Sequence, residues 1–166
     1  LPSENAVAFS TDKSESTEMG EVTVEDASSM MVEFDSGALG SFEASRFATG
    51  KKNGNTFEIY GSKGSICFDM ERMNELGYYS REDSEGYQGF RTIQVTEATH
   101  PYIAHWWPPG HIIGYEHGFI HAVADFMRAI ETGTEIRPNF KDGVFSLKVL
   151  EAGLKSAKSE KKQKVL

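Results

Sequence analysis

All five histidines and both tryptophans of this 166-residue sequence fall in one window, HPYIAHWWPPGHIIGYEHGFIHAVADF, residues 100–126. Three kinds of chemistry suit such a cluster. His117 and His121, four residues apart, share one face of a helix and with His111 could ligate a metal ion. The pattern is HGFIH, however, without the glutamate that HExxH places between its histidines as general base. Trp106, Trp107, His111 and Tyr115 could instead wall a pocket for a small polar ligand, offering flat apolar faces with polar tips. Pro108-Pro109-Gly110 would stiffen the backbone that carries them. In the third reading the tryptophans are core anchors of a loop packed under a helix.

The elements that must position this window differ on its two sides. Upstream, Met30, Val32 and Phe34 alternate with Met31 and Glu33 before a DSG turn at residues 35–37, and LGSFEASR returns with the same period. Further strands are expected at TFEIY, SICFD, LGYYS and FRTIQV, joined by connections short enough to require antiparallel neighbours. Downstream, Phe119, Val123, Phe126 and Ile130 recur at helical spacing over about 117–131, with Gly133 as the stop. A second helix is expected from Asp142, burying Val144, Leu147, Leu150 and Leu154. The fold class is α+β: a mainly antiparallel open sheet with helices covering one face. One domain over residues 1–166 is expected, with a polar, acidic leader over 1–26.

Composition excludes several functions. A net charge of −8 without a basic patch argues against nucleic acid, and no apolar run is long enough to span a membrane. The single cysteine, Cys67, suits a reduced, cytoplasmic compartment. There is no GxGxxG, GxxxxGKS or GxSxG, so no cofactor-binding or catalytic residue is assigned, and none as a metal ligand.

The succession VEDASSMMVEFDSGALGSFEASRFATGKKN, FEIYGSKGSICFDMERMNEL, WWPPGHIIGYEHGFIHAVADFMRAI and RPNFKDGVFSLKVLEAGLKSA, over about residues 22–158, resembles the C-terminal domain of the glucose-fructose oxidoreductase and inositol dehydrogenase (Gfo/Idh/MocA) family. That resemblance implies a substrate-binding and dimerisation domain. It would serve an NAD- or NADP-dependent oxidoreductase that moves hydride from a sugar, polyol or cyclitol. The family's catalytic lysine, in an EKP motif, and its Asp-x-x-x-His pair have no counterpart here. The N-terminal Rossmann domain is thus expected to be missing from this stretch, which by itself should neither bind the cofactor nor turn over substrate. The resemblance places Arg46, Trp106, Trp107, His111, Tyr115 and His117 on the substrate side, and makes the open sheet face, with Met31, Glu33, Glu58, Tyr60 and Cys67, a homodimer surface. The alternatives are a free-standing sugar-binding or assembly module and the histidine-ligated metal site.

Overall fold

The computed structural model describes residues 20–165, so most of the acidic leader expected over 1–26 lies outside the described residues. The chain divides after Thr49 into two compact units.

The first unit is a hairpin. Strands β1 (Ala27–Glu33) and β2 (Leu39–Ser45) pair antiparallel, with Met30 opposite Phe42 and Val32 opposite Gly40. The DSG turn forms where the alternation predicts it: the Phe34 amide donates to Ala38 at 2.9 Å, and Gly37 takes a positive φ of 84° that disfavours a side chain. Because side chains alternate along a strand, Met30, Val32 and Phe42 share the half-sheltered face, while Met31 lies 80% exposed on the other.

The second unit contains a four-stranded antiparallel meander, β3 (Thr56–Tyr60), β4 (Gly64–Asp69), β5 (Glu75–Ser80) and β6 (Arg91–Gln94), in that spatial order. The strands therefore form two sheets rather than one continuous meander. The break comes at FATGKKNGN, which is too long for a tight hairpin. It is held another way, with Glu71 accepting from the amides of Lys52 and Asn53 at 2.7 and 2.9 Å. Those two bonds hold the Glu71 carboxyl below its ordinary pKa. One sheet face carries Phe57 stacked on Phe68 at 5.3 Å, with Ile66, Leu76, Tyr78 and Ile93. The other carries Glu58, Tyr60, Cys67, Gly77 and Tyr79. Tyr60 donates its hydroxyl to Glu58 on that second face.

Two helices follow, α1 (Tyr115–Thr132) and α2 (Phe140–Ser159). Gly133, in the left-handed region at φ 64°, stops α1 as expected. Helix α2 begins before Asp142, because Asn139 is its cap. The Asn139 side chain accepts from the Lys141 amide and Asp142 reaches back to the Asn139 amide, both at 2.8 Å. The expected burial of the helix faces is not found among the described residues. Phe119, Val123, Phe126 and Ile130 on α1 are 61–65% exposed, and Val144, Leu147, Leu150 and Leu154 on α2 are also exposed. An apolar stripe of the right period is present, and it lies exposed. No described helix is long and apolar enough to cross a membrane.

The tightest backbone approach in the sheet is at Gly64, where a Cβ would lie 2.4 Å from the carbonyl oxygen of Tyr79. A carbonyl in a paired strand cannot swing aside as a side chain can. Gly64→Ala is expected to destabilise the chain by about 1–3 kcal/mol in urea unfolding, whereas Gly86→Ala, at a position with open space, stays within about 0.5 kcal/mol. Equal effects would contradict the close approach.

Candidate functional site

Helix α1 places His117, His121 and Asp125 one turn apart on a single face, and the loop between β6 and α1 folds back against them. Asn74, just before β5, anchors that loop: its side-chain amide donates to Ile113 O at 2.8 Å while its carbonyl accepts from Ile113 N at 3.0 Å. Buried Thr96 adds a second anchor, accepting from the Gly110 amide at 3.1 Å. Between these anchors a 3₁₀ turn, Ile103–His105, presents Trp106 to the helix.

The contacts form a chain. The Trp106 indole donates to His121 Nε2 at 2.7 Å and meets the His117 ring edge-on at 4.5 Å. His121 stacks on Tyr102 at 4.3 Å with 14° between the planes. The Tyr102 hydroxyl donates to Asp125 at 2.6 Å, and Asp125 also receives Arg128 at 3.0 Å. Donating to a carboxylate stabilises the neutral phenol, so the Tyr102 pKa is raised above its ordinary value, first by that hydrogen bond and then by desolvation. Tyr102 has φ 67°, a region that costs a bulky residue backbone strain, and the contacts of its ring and hydroxyl hold it there.

A cavity of about 230 Å³ opens beside this chain, lined by Met73, Asn74, Val95, His100, Tyr102 and His121 among others. Met73, Val95, Pro101, Ile103 and Ile113 make most of its lining apolar. The tautomers of its two histidines are fixed by what their other nitrogens accept. His100 Nδ1 accepts from the Glu97 amide at 3.0 Å, which leaves Nε2 to carry the proton. His121 Nε2 accepts from Trp106, which leaves Nδ1–H.

Of the residues singled out in the sequence, Trp106 and His117 come together in the chain of contacts. Trp107 and His111 form a looser exposed pair with ring centroids 6.3 Å apart. Tyr115 turns away, packing edge-on against Phe119 on the apolar side of α1. Arg46 belongs to the first unit, where its amide continues the hairpin by donating to Asp26 O at 2.8 Å. None of the six lines the cavity. Sequence reasoning missed Tyr102, Asp125 and His100. The one signal for Asp125 was the i, i+4, i+8 spacing that it shares with His117 and His121.

The same geometry weighs against metal ligation by the pair. His117 Nδ1 accepts from the Gly114 amide at 3.1 Å and His121 Nε2 from Trp106, so each neutral ring has already engaged the lone pair a metal would take. Among the described residues no three of His, Cys, Asp or Glu are grouped to hold an ion.

The family described as "Oxidoreductase family, C-terminal alpha/beta domain" matches residues 1–165. Levoglucosan dehydrogenase of Pseudarthrobacter phenanthrenivorans is 39% identical over 161 residues, which are 96% of this chain and 41% of that protein. An oxidoreductase domain protein from Kribbella flavida superposes with a TM-score of 0.86 at 50% identity, covering 89% of this chain and 38% of its own. A levoglucosan dehydrogenase in complex with NADH and levoglucosan superposes at 0.85 and 40% identity, over 89% and 40% of the two chains. The chain thus spans about two fifths of the length of the relatives it matches.

Removing the acceptor of the Tyr102 hydroxyl should lower its pKa. In Asp125→Ala, with Arg128 left beside the phenol, tyrosinate absorbance is expected to appear at lower pH than in the parent, with Tyr102→Phe as the reference. The stability contributed by the Tyr102–Asp125 bond is present below the ordinary phenol pKa and is lost as pH rises through the raised value. An unshifted titration would contradict the bond.

Proposed function

The chain belongs to the Gfo/Idh/MocA oxidoreductase family, whose C-terminal α/β domain it matches along nearly its whole length, and on that premise we propose that it is the substrate-side domain of an NAD- or NADP-dependent dehydrogenase acting on a sugar or polyol. The observation that carries this reading is the aromatic–histidine wall. Trp106, His121 and Tyr102 are locked to one another and to Asp125 beside a mostly apolar cavity, the combination of flat faces and fixed polar groups that suits a sugar ring. The similarity to levoglucosan dehydrogenase favours a pyranose-like substrate.

The described residues do not fit the nicotinamide dinucleotide. Both sheets are antiparallel, so no strand–glycine turn–helix unit of a parallel sheet is available. At the start of α1 the Gly114 and His117 amides, which a pyrophosphate would require, already bond within the turn to His117 Nδ1 and Gly114 O. The cofactor site and the proton-transfer groups are assigned to a dinucleotide-binding domain outside these residues. What this chain supplies is binding and orientation of the substrate, with Trp107, His111 and His117 as further contacts to it. Residues 1–166 alone are inactive in this reading.

Self-association belongs to the same proposal. The sheet face bearing Glu58, Tyr60, Cys67 and Tyr79 joins aromatic and sulfur-bearing side chains to carboxylate, a mixture suited to a twofold interface between copies in a cytoplasmic enzyme.

The intact protein carrying this domain is expected to produce NADH or NADPH when given levoglucosan or a related pyranose, while residues 1–166 alone produce none. Reduced cofactor absorbance measures both. Failure of the intact protein with a panel of sugars, polyols and cyclitols and both cofactors would refute the dehydrogenase reading, and turnover by the isolated chain would refute the division of labour.

A further inference from the structure

Trp106 can bond to His121 in one way only. An indole has one polar hydrogen and no acceptor, so the 2.7 Å bond to His121 Nε2 exists only while that nitrogen keeps its lone pair. A proton on Nε2 would set N–H against N–H and turn the contact from attraction to repulsion. Histidine is the side chain that ordinarily changes charge between about pH 5 and 8. His121 is half-buried, so water can deliver that proton without the fold opening.

The groups that face His121 do not give the indole a second acceptor. Tyr102 stacks on the ring and sends its hydroxyl to Asp125. Asp125 and Arg128, one and two turns further along α1, carry opposite charges and are paired with each other. His100 lines the same cavity, with its own Nδ1 engaged by the Glu97 amide. His117, one turn earlier on α1, is the second ring against Trp106, edge-on at 4.5 Å. Its Nδ1 accepts from the Gly114 amide at 3.1 Å, while Glu116 Oε1 lies 3.6 Å from the same atom. A proton there would trade the amide for the carboxylate, so acid loosens the start of α1 in the same sense.

We infer that His121 is a positioning residue with a pH dependence built into it. Neutral, it holds Trp106 and with it the loop between β6 and α1; protonated, it releases them. The bond is present above the range in which the ring titrates and is lost as pH falls through it. This latch stands on the contacts alone, and its bearing on substrate rests on the dehydrogenase reading. A sugar has no group that titrates in this range, so acid weakens its binding through the wall and not through the ligand.

The 166-residue chain, labelled with ¹⁵N in its two tryptophans, gives two indole signals that Trp106→Phe and Trp107→Phe assign. Trp107, 63% exposed, is the internal reference. As pH falls from about 8 to about 5, the Trp106 signal is expected to leave its hydrogen-bonded position and to exchange faster with water. The Trp107 signal should move much less, and the amide signals of β3–β6 should stay in place. In His121→Gln, whose side-chain oxygen accepts from an indole and does not titrate, the Trp106 signal should hold still. In His117→Asn, which keeps an acceptor for the Gly114 amide, it should still move. A stationary Trp106 signal in the parent chain would overturn the inference whatever the variants do. Equal movement in His121→Gln, no movement in His117→Asn, or loss of the sheet signals at the same pH would overturn it as well. In the intact protein, KM for levoglucosan should rise about fivefold between neutral pH and about pH 5.5, and in His121→Gln that ratio should fall to about one. A KM in the parent that ignores the change would overturn the positioning role. A titrating latch without NADH from any sugar would keep the latch and remove the dehydrogenase reading. NADH from levoglucosan with a stationary Trp106 would do the reverse.

Discussion

One hydrogen bond organises the second unit's functional end: the Trp106 indole N–H donating to His121 Nε2. It joins the loop between β6 and α1 to a residue in the second turn of α1, and three consequences follow. The loop is pinned at its middle, complementing the Asn74–Ile113 and Thr96–Gly110 anchors toward its far end. The His121 ring is held in the plane that stacks on Tyr102, whose hydroxyl can then reach Asp125 a turn further along. The proton of His121 is confined to Nδ1. A neutral hydrogen bond adds only about 1 kcal/mol of net stability, so its importance lies in how many geometries it fixes at once.

Period and punctuation made most of the elements readable from the sequence. Alternation located the first two strands and short apolar runs between turns the other four, all to within a few residues, because a half-sheltered strand alternates and its turns need residues such as Gly37. Gly133 marked the end of α1 for the same kind of local reason. Asp142 was misplaced because two residues three apart, Asn139 and Asp142, share the capping work, and the sequence does not say which one starts the helix. The single meander failed where pairing depended on a long connection rather than a tight turn.

The site was readable only as a neighbourhood. Trp106 and His117 stood out because aromatic and histidine side chains crowd one window, and the structure does bring their rings together. The cavity itself is built across long sequence separations: Met73 and Asn74 come from the turn before β5, and Val95 from just after β6. No periodicity links residue 74 to residue 113. Tyr102 was invisible for a different reason, since its left-handed backbone is stabilised by His121 and Asp125 rather than by any local preference. The pairing of His117 with His121 was readable, but its chemistry was not. Spacing gives a shared face, and only the partners of each nitrogen decide between ligand, acid and donor.

That distinction decides what a histidine beside the cavity can do. A histidine whose acceptor nitrogen is bonded to a neighbouring N–H loses the lone pair that metal ligation or proton abstraction needs there, and keeps a directed donor instead. Both cavity histidines, and His117 outside it, are bonded in this way, from Glu97, Trp106 and Gly114 respectively. Under the proposed function, three rings bonded alike would orient substrate rather than move its protons. The apolar stripes of α1 and α2 lie exposed among the described residues, although a helix face with that period is built to be covered. The His121 tautomer therefore depends on α1 being held against the loop, and the network from Trp106 to Arg128 ties the loop to that helix along three of its turns.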